Sequence, residues 1–183
     1  ATRRELLRQW VYTYSWLFHE VHTLHADPHP GNFLLEEDDT MVMLDFGAIK
    51  EFEPAFTDGI LEILVACWTD DDQRALELYK QMGFSTDSAT LDELDPQLLR
   101  DYHEIVLEPF LTDGRFDFGD WEPTLGSKKF MLANPSFLKV VPPKEALLYL
   151  RVLSGIKGLL RKMDAEIDVR TMAEGTARRR GLI

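Results

Sequence analysis

The beginning of the chain shows the hydrophobic period of a helix. Apolar residues recur every three or four positions over residues 3–24, as in an α-helix that buries one face. Thr2 followed by Glu5 fits a capping box, which predicts that the helix begins at the start of the chain. The density of aromatic residues predicts that more than one side of it is buried. These residues are Trp10, Tyr12, Tyr14, Trp16 and Phe18.

The helical period stops before residues 25–32. Pro28 ends any helix by Asp27, because the residue before a proline is pushed out of the α region. Two short apolar runs, 33–35 and 41–44, then flank a run of acidic residues. This pattern predicts an irregular loop followed by a small β-hairpin with a charged tip.

From residue 54 onward the helical period returns and dominates. Helices are predicted to start at Pro54, after residues 70–72, at Pro96, at Lys144 and at Val169. The helix from Pro96 is predicted to run to about residue 111, with His103 on its surface, after a polar and turn-rich segment over 84–96. The fold class is therefore mainly α with one small β-hairpin. We predict a single domain over 1–183, in which 54–183 supports the helix, loop and hairpin of 1–53.

Charge and composition narrow the function classes. The net charge of −12 argues against nucleic-acid binding, which depends on Lys and Arg neutralising phosphates. Residues 151–183 reverse this sign, with eight Lys or Arg against four acids. That basic segment is either a solvated helix face or a peripheral contact with anionic lipid or an acidic partner. The single cysteine, Cys67, excludes an internal disulfide, and no apolar run approaches the roughly 18 residues of a membrane span.

Three polar residues between the apolar runs form the candidate chemistry. Asp27, Asn32 and Asp45 are separated by a loop and a hairpin, and the hairpin can fold its second strand back beside the loop. One amide oxygen and one carboxylate suit Mg²⁺ that keeps water and phosphate oxygens as its other ligands. Asp27 could accept a proton or orient a hydroxyl or water. Gly47 frees the backbone after Asp45, and Phe46 is predicted to pack beneath the metal ligand.

These residues carry a resemblance to a known family. His25-x-Asp27-x-x-x-x-Asn32 followed by Asp45-Phe46-Gly47 resembles the catalytic loop and Asp-Phe-Gly motif of protein-kinase-like enzymes. The form Ala26-Asp27-Pro28-His29-Pro30-Gly31-Asn32 is more particular and resembles the UbiB/ABC1/AarF/ADCK family of atypical kinases.

The resemblance implies a kinase-like C-lobe, with Mg²⁺ and ATP as cofactors. It implies that Asp27 is the catalytic-loop aspartate and that Asn32 and Asp45 are the metal ligands. By the same resemblance, His25 is the structural histidine that bonds to the backbone near Asp45. The implied function is ATP hydrolysis or phosphoryl transfer supporting ubiquinone biosynthesis, with a lipid or quinone-pathway substrate, in the cytoplasm or peripherally at a membrane.

Three departures qualify the resemblance. His29 stands where typical protein kinases have a lysine, and no Ala-Pro-Glu motif follows Gly47, which counts against a protein substrate. The N-lobe of the family, with its nucleotide loop and phosphate-binding lysine, is absent from this chain. We therefore expect the 183 residues by themselves to be catalytically silent and to bind nucleotide weakly.

Two other functions remain open. A small-molecule phosphotransferase of the aminoglycoside or choline kinase type shares the His-x-Asp loop, but Phe46 and Gly47 disfavour it. A non-catalytic pseudokinase scaffold is disfavoured by intact Asp27, Asn32 and Asp45. A second Asp-Phe-Gly triplet, beginning at Asp117, is interpreted as a coincidence within a loop.

Overall fold

The fold was analysed in a computed structural model that describes residues 2–86 and 94–183. Part of the turn-rich segment predicted over 84–96 therefore lies outside the described residues. The helices are α1 (Arg3–Glu20), α2 (Pro54–Trp68), α3 (Asp72–Gln81), α4 (Pro96–Val106), α5 (Glu108–Leu111), α6 (Pro123–Ala133), α7 (Lys144–Lys162) and α8 (Val169–Arg179). The strands are β1 (Thr23–His25), β2 (Phe33–Leu35), β3 (Met41–Met43), β4 (Ile49–Glu51), β5 (Ser85–Thr86), β6 (Phe116–Asp117), β7 (Val140–Val141) and β8 (Glu166–Ile167).

The mainly helical fold class is confirmed, and the predicted hairpin is the pair β2–β3. Three further antiparallel pairs were not predicted: β1 with β4, β5 with β7, and β6 with β8. Their strands are two or three residues long, too short to show a period, and their partners lie far apart in sequence. The β1–β4 pair encloses the loop and hairpin, so it closes the whole segment from β1 to β4 at its base.

Helix α1 begins as predicted but ends four residues early. The Thr2 hydroxyl oxygen accepts a hydrogen bond from the Glu5 N–H at 3.2 Å. His22 then adopts a left-handed backbone with φ of 58°, and the next residues turn away as β1. The expectation that several sides are buried was wrong, because Tyr12 and Trp16 are 40% and 44% exposed. Only the side of α1 that faces the other helices is buried.

The main core joins α1 to helices from the rest of the chain. Phe18 of α1 is 2% exposed and stacks on Tyr149 of α7 with ring centroids 4.6 Å apart. Phe52 and Phe56, at the entry to α2, pack around the same ring of Phe18. Burial of aromatic side chains of this size is a large source of stability, and this cluster joins α1 to α2 and α7.

Two predictions about helices and histidines were wrong. The helix predicted from Pro96 to residue 111 breaks at Leu107 into α4 and α5. His103, expected on the surface, is 2% exposed and lies between the Cys67 sulfur at 3.2 Å and the Tyr79 hydroxyl at 3.0 Å. Burial lowers the pKa of His103 to about 4, so the ring is neutral near pH 7. Cys67, with its pKa raised by burial to about 12, is a thiol there.

The basic C-terminal segment is joined to the acidic body by ion pairs. Arg180 holds the Asp58 carboxylate with three hydrogen bonds of 2.8, 2.9 and 3.2 Å, and Arg179 pairs with Glu20 at 3.1 Å. Arg161 and Arg170 likewise pair with acidic residues of the 112–122 segment. Half of the eight basic residues in this segment therefore neutralise the protein's own carboxylates.

Candidate functional site

Two strand pairs bring the candidate residues together. In β1–β4, His25 lies opposite Ile49, and the next residue continues the pairing, because the Ala26 N–H donates to the Ala48 carbonyl at 2.8 Å. Asp27 therefore leaves β1 beside the Asp-Phe-Gly segment. In the hairpin the Leu44 N–H donates to the Asn32 backbone carbonyl at 2.9 Å, which places Asn32 beside the residue before Asp45. The predicted return of the second strand toward the loop is present.

His25 connects the loop aspartate to the triplet. Its ring is fully buried, and Nδ1 accepts a hydrogen bond from the Asp27 N–H at 3.2 Å. Nε2 contacts the Asp45 carbonyl oxygen. A backbone N–H can only donate and a carbonyl can only accept, so these two bonds require the neutral tautomer with the proton on Nε2. The histidine bonds to the backbone at Asp45, as the family resemblance implied.

Asn32 contacts Asp27 directly. Its amide nitrogen donates to the Asp27 backbone carbonyl at 3.1 Å and to the Asp27 carboxylate at 3.0 Å. With the nitrogen used in this way, the amide oxygen of Asn32 is oriented elsewhere and is left to accept or to bind a cation. His29 has a different part in the loop: its Nδ1 accepts the Gly31 N–H at 3.0 Å and caps the 3₁₀ turn Pro30–Asn32.

Asp45 is followed by a tight turn that it closes itself. One carboxylate oxygen accepts the Gly47 N–H at 2.8 Å, which leaves the second oxygen for another ligand. A Cβ at Gly47 would lie 3.2 Å from that first carboxylate oxygen, so a small residue suits the turn. Phe46, expected to pack beneath Asp45, is 64% exposed, and that expectation was wrong. No described part of the chain covers its ring.

The donor set fits a magnesium ion only in part. Among the described residues, no group of three or more His, Cys, Asp or Glu side chains could hold a metal. The amide oxygen of Asn32 and the free carboxylate oxygen of Asp45 are two hard oxygen donors on adjacent backbone positions. Mg²⁺ favours such sparse protein ligation when phosphate and water complete its octahedron. These residues therefore fit Mg²⁺ bound together with a phosphorylated ligand and do not form a closed metal cage.

Two residues that support the loop were missed by the sequence reasoning. Tyr14 of α1 is 3% exposed, its hydroxyl has no partner within the described residues, and burial together with the nearby Asp27 charge raises its pKa. Gly155 of α7 lies against the loop: a Cβ there would be 2.5 Å from Pro28 Cγ. Tyr14 was visible only as one of several aromatic residues on a helix, and no sequence signal marked Gly155.

Comparison with protein families and curated proteins identifies relatives of this arrangement. Residues 1–79, which include α1, the loop, the hairpin and the triplet, match the ABC1 atypical kinase-like domain. The chain is 29% identical over 164 residues to the mitochondrial atypical kinase COQ8B of Rattus norvegicus, covering 87% of this chain and 30% of that protein. It is 24% identical over 154 residues to the mitochondrial atypical kinase coq-8 of Caenorhabditis elegans, covering 79% of this chain and 20% of the relative.

A solved structure has the same fold over most of the chain. The complex of Rv3197 with erythromycin, from Mycobacterium tuberculosis, superimposes with a TM-score of 0.68 at 18% identity, covering 94% of this chain and 43% of that one. The chain thus spans less than half of each of these relatives. The match to the family domain falls on the segment that holds Asp27, Asn32 and Asp45, so residues 1–79 are similar to the ABC1 atypical kinase-like domain, and most of the chain is similar to the atypical kinases COQ8B and coq-8.

Proposed function

We propose that this chain supplies the magnesium-facing half of an ATP site in a longer atypical kinase or ATPase. The observation that carries the proposal is the continuous set of hydrogen bonds from Asn32 through Asp27 and His25 to Asp45. These bonds fix the positions of Asn32, Asp27 and Asp45 relative to one another. Such positioning, together with electrostatic stabilisation, is the main contribution of a protein to phosphoryl transfer.

Each residue then has a separate role. Asn32 and Asp45 would hold Mg²⁺, which would neutralise charge on the phosphates when bound. Asp27 would accept the proton of an attacking hydroxyl or orient a water molecule. His25 would act as a positioning residue, because it contacts backbone groups of both aspartates and its ring is enclosed.

We further propose that the acceptor is a lipid of the quinone pathway, or water in an ATPase cycle, and that the protein works beside a membrane. The similarity to the COQ8 proteins supports this setting. The two COQ8 relatives are mitochondrial, and the described part of this chain contains no helix long and apolar enough to cross a membrane. The basic C-terminal helices are one candidate contact, although several of their arginines pair with the protein's own acids.

The test uses the full-length protein that contains this chain. Mg-ATP is expected to raise the melting temperature, and Asp45→Asn is expected to remove that increase, because the metal loses its anionic ligand. Asp27→Asn is expected to keep most of the increase and to lose turnover. If Mg-ATP raises the melting temperature of the Asp45→Asn variant as much as that of the wild type, the proposed site is refuted.

A second measurement addresses the substrate class. Cells that express only the Asp45→Asn protein are expected to accumulate quinone-pathway intermediates. Unchanged quinone intermediates, alongside lost ATP turnover, would favour a small-molecule phosphotransferase acting elsewhere. Retained quinone synthesis with no nucleotide response in the wild-type protein would favour a scaffold.

A further inference from the structure

Helix α6 presents an exposed face that combines leucines with lysines. Leu125, Lys128, Lys129 and Leu132 occur at positions i, i+3, i+4 and i+7, and therefore lie on one side of the helix. Leu138, from the following 3₁₀ turn, lines the same groove as Lys128 and Leu132. The three leucines are 51%, 71% and 60% exposed, in chain order. We call these five residues the α6 surface.

The opposite side of α6 is fixed against the protein. A Cβ at Gly126 would lie 2.6 Å from Ile105 Cγ2, so α6 and α4 are already in close contact there. The Phe130 ring packs on Tyr102 at 5.4 Å and on Phe137 at 5.2 Å between centroids. The helix therefore cannot rotate its leucines inward without losing these contacts, and the α6 surface is held toward solvent.

The charge of this region differs from that of the rest of the chain. Residues 123–144 contain four lysines and no Asp or Glu, within a chain whose net charge is −12. Within the described residues, Lys128 and Lys129 have no carboxylate partner, whereas Arg161, Arg170, Arg179 and Arg180 all form ion pairs. These four arginines lie in residues 151–183, the basic segment whose charge suggested a contact with anionic lipid or an acidic partner.

We propose that the α6 surface docks on an anionic phospholipid bilayer. The lysines would contact lipid phosphates, and the leucines would enter the boundary between headgroups and acyl chains. The groove between Lys128, Leu132 and Leu138 has a volume of about 430 Å³ and is open to solvent. Membrane binding of this kind depends on the apolar area that is buried and on the attraction of lysines to anionic lipids, and the α6 surface supplies both. A nucleic acid would engage the lysines and leave the leucines in water. A protein partner in place of lipid would show as absent binding to the anionic vesicles.

The inference rests on the proposed function only for its membrane setting, and it assigns that contact to α6 in place of the C-terminal helices. Binding to lipid needs neither Asp45 nor nucleotide. The full-length Asp45→Asn protein is therefore expected to bind vesicles as the wild type does. If the wild-type protein binds vesicles but not Mg-ATP, the proposed function has failed. If it binds Mg-ATP but not vesicles, the membrane proposal has failed.

The experiment is vesicle co-sedimentation of the full-length protein. Vesicles of equal parts phosphatidylcholine and phosphatidylglycerol are compared with vesicles of phosphatidylcholine alone. Each lysine near an anionic surface accounts for about fivefold in binding, so Lys128→Gln with Lys129→Gln is expected to lower it by about twenty-five-fold. The double variant Leu132→Ser with Leu138→Ser is expected to lower vesicle binding as well, while the dependence of binding on salt concentration stays unchanged. Both side chains are already more than half exposed, so we expect the melting temperature to be unchanged.

The matched control removes two exposed cations of the C-terminal helices that have no ion pair within the described part of the chain. Lys162→Gln with Arg178→Gln changes the net charge by the same amount and is expected to leave vesicle binding within about twofold of the wild type. The proposal is overturned by absence of binding to the anionic vesicles, by equal binding of the Lys128 and Lys129 variant, or by loss of binding in the control.

Discussion

The two Asp-Phe-Gly triplets of this chain have the same local turn and opposite surroundings. In each, an aspartate oxygen accepts the glycine N–H two residues later at 2.8 Å. Phe46 is 64% exposed, whereas Phe118 is 3% exposed and packs on Phe116 and Trp121. The Asp-Phe-Gly sequence determines the turn, and the neighbouring elements decide whether its phenylalanine is buried or exposed.

The aspartates differ in the same way. Asp45 follows the hairpin and touches His25 through its carbonyl, so it belongs to the set that includes the loop residues. Asp117 belongs to strand β6, which pairs with β8, and no counterpart of His25 or Asn32 contacts it within the described residues. The second triplet is thus a structural corner, and the first is a candidate ligand site.

The largest expected effect separates the two phenylalanines. Phe118→Ala should lower the free energy of unfolding by about 3–5 kcal/mol, because it removes a buried ring and leaves a cavity. Phe46→Ala should change it by less than about 0.5 kcal/mol, since its ring is already in solvent. Urea unfolding of both variants measures this difference. Equal losses of unfolding free energy in the two variants would mean that the Phe46 ring is covered.

The next effect concerns the histidine that only the first triplet has. His25→Ala should cost about 2–4 kcal/mol, because a fully buried ring is removed and the Asp27 N–H and the Asp45 carbonyl both lose their partner. His29→Ala, which removes an exposed cap in the same loop, should cost about 1 kcal/mol or less. Thermal or urea unfolding checks the stability. A His25→Ala variant as stable as His29→Ala would contradict the enclosed contact described for His25.

Activity should distinguish the two aspartates more clearly than stability does. Asp45→Asn in the full-length protein should reduce Mg-ATP turnover by roughly a hundredfold or more, because an anionic ligand of the metal is lost. Asp117→Asn should leave turnover within about twofold of the wild type, since the amide oxygen can keep the turn. Steady-state ATP hydrolysis measures both. Comparable losses in the two variants would show that the second triplet also acts in the reaction.

The smallest effect tests how α7 supports the loop beside the first triplet. Gly155→Ala should destabilise by about 1–3 kcal/mol, because its methyl group would overlap the rigid Pro28 ring. Gly158→Ala, on the same helix with nothing within 4 Å, should stabilise by about 0.5–1 kcal/mol through helix propensity. Opposite signs in calorimetry would support the contact, and two stabilising substitutions would rule it out.

Much of this architecture could be predicted from residue patterns. The helical periods located α1, α2, α7 and α8, and the proline and glycine positions marked where several of them begin or end. The spacing of Asp27, Asn32 and Asp45 around two short apolar runs also indicated the hairpin that brings them together. These features depend on neighbours close in sequence, so a local pattern records them.

Other features depended on contacts between distant segments. The β1–β4 pair, the burial of His103 and the contact of Gly155 with Pro28 each join residues that are more than 20 positions apart, and no local pattern contains them. The sequence by itself determined helices such as α1, α2, α7 and α8, the hairpin and the turn of both Asp-Phe-Gly triplets. Only the tertiary structure decided that one triplet faces the loop and the other the core. The physical reason is that turn geometry comes from hydrogen bonds two residues apart, whereas burial depends on which distant elements pack nearby.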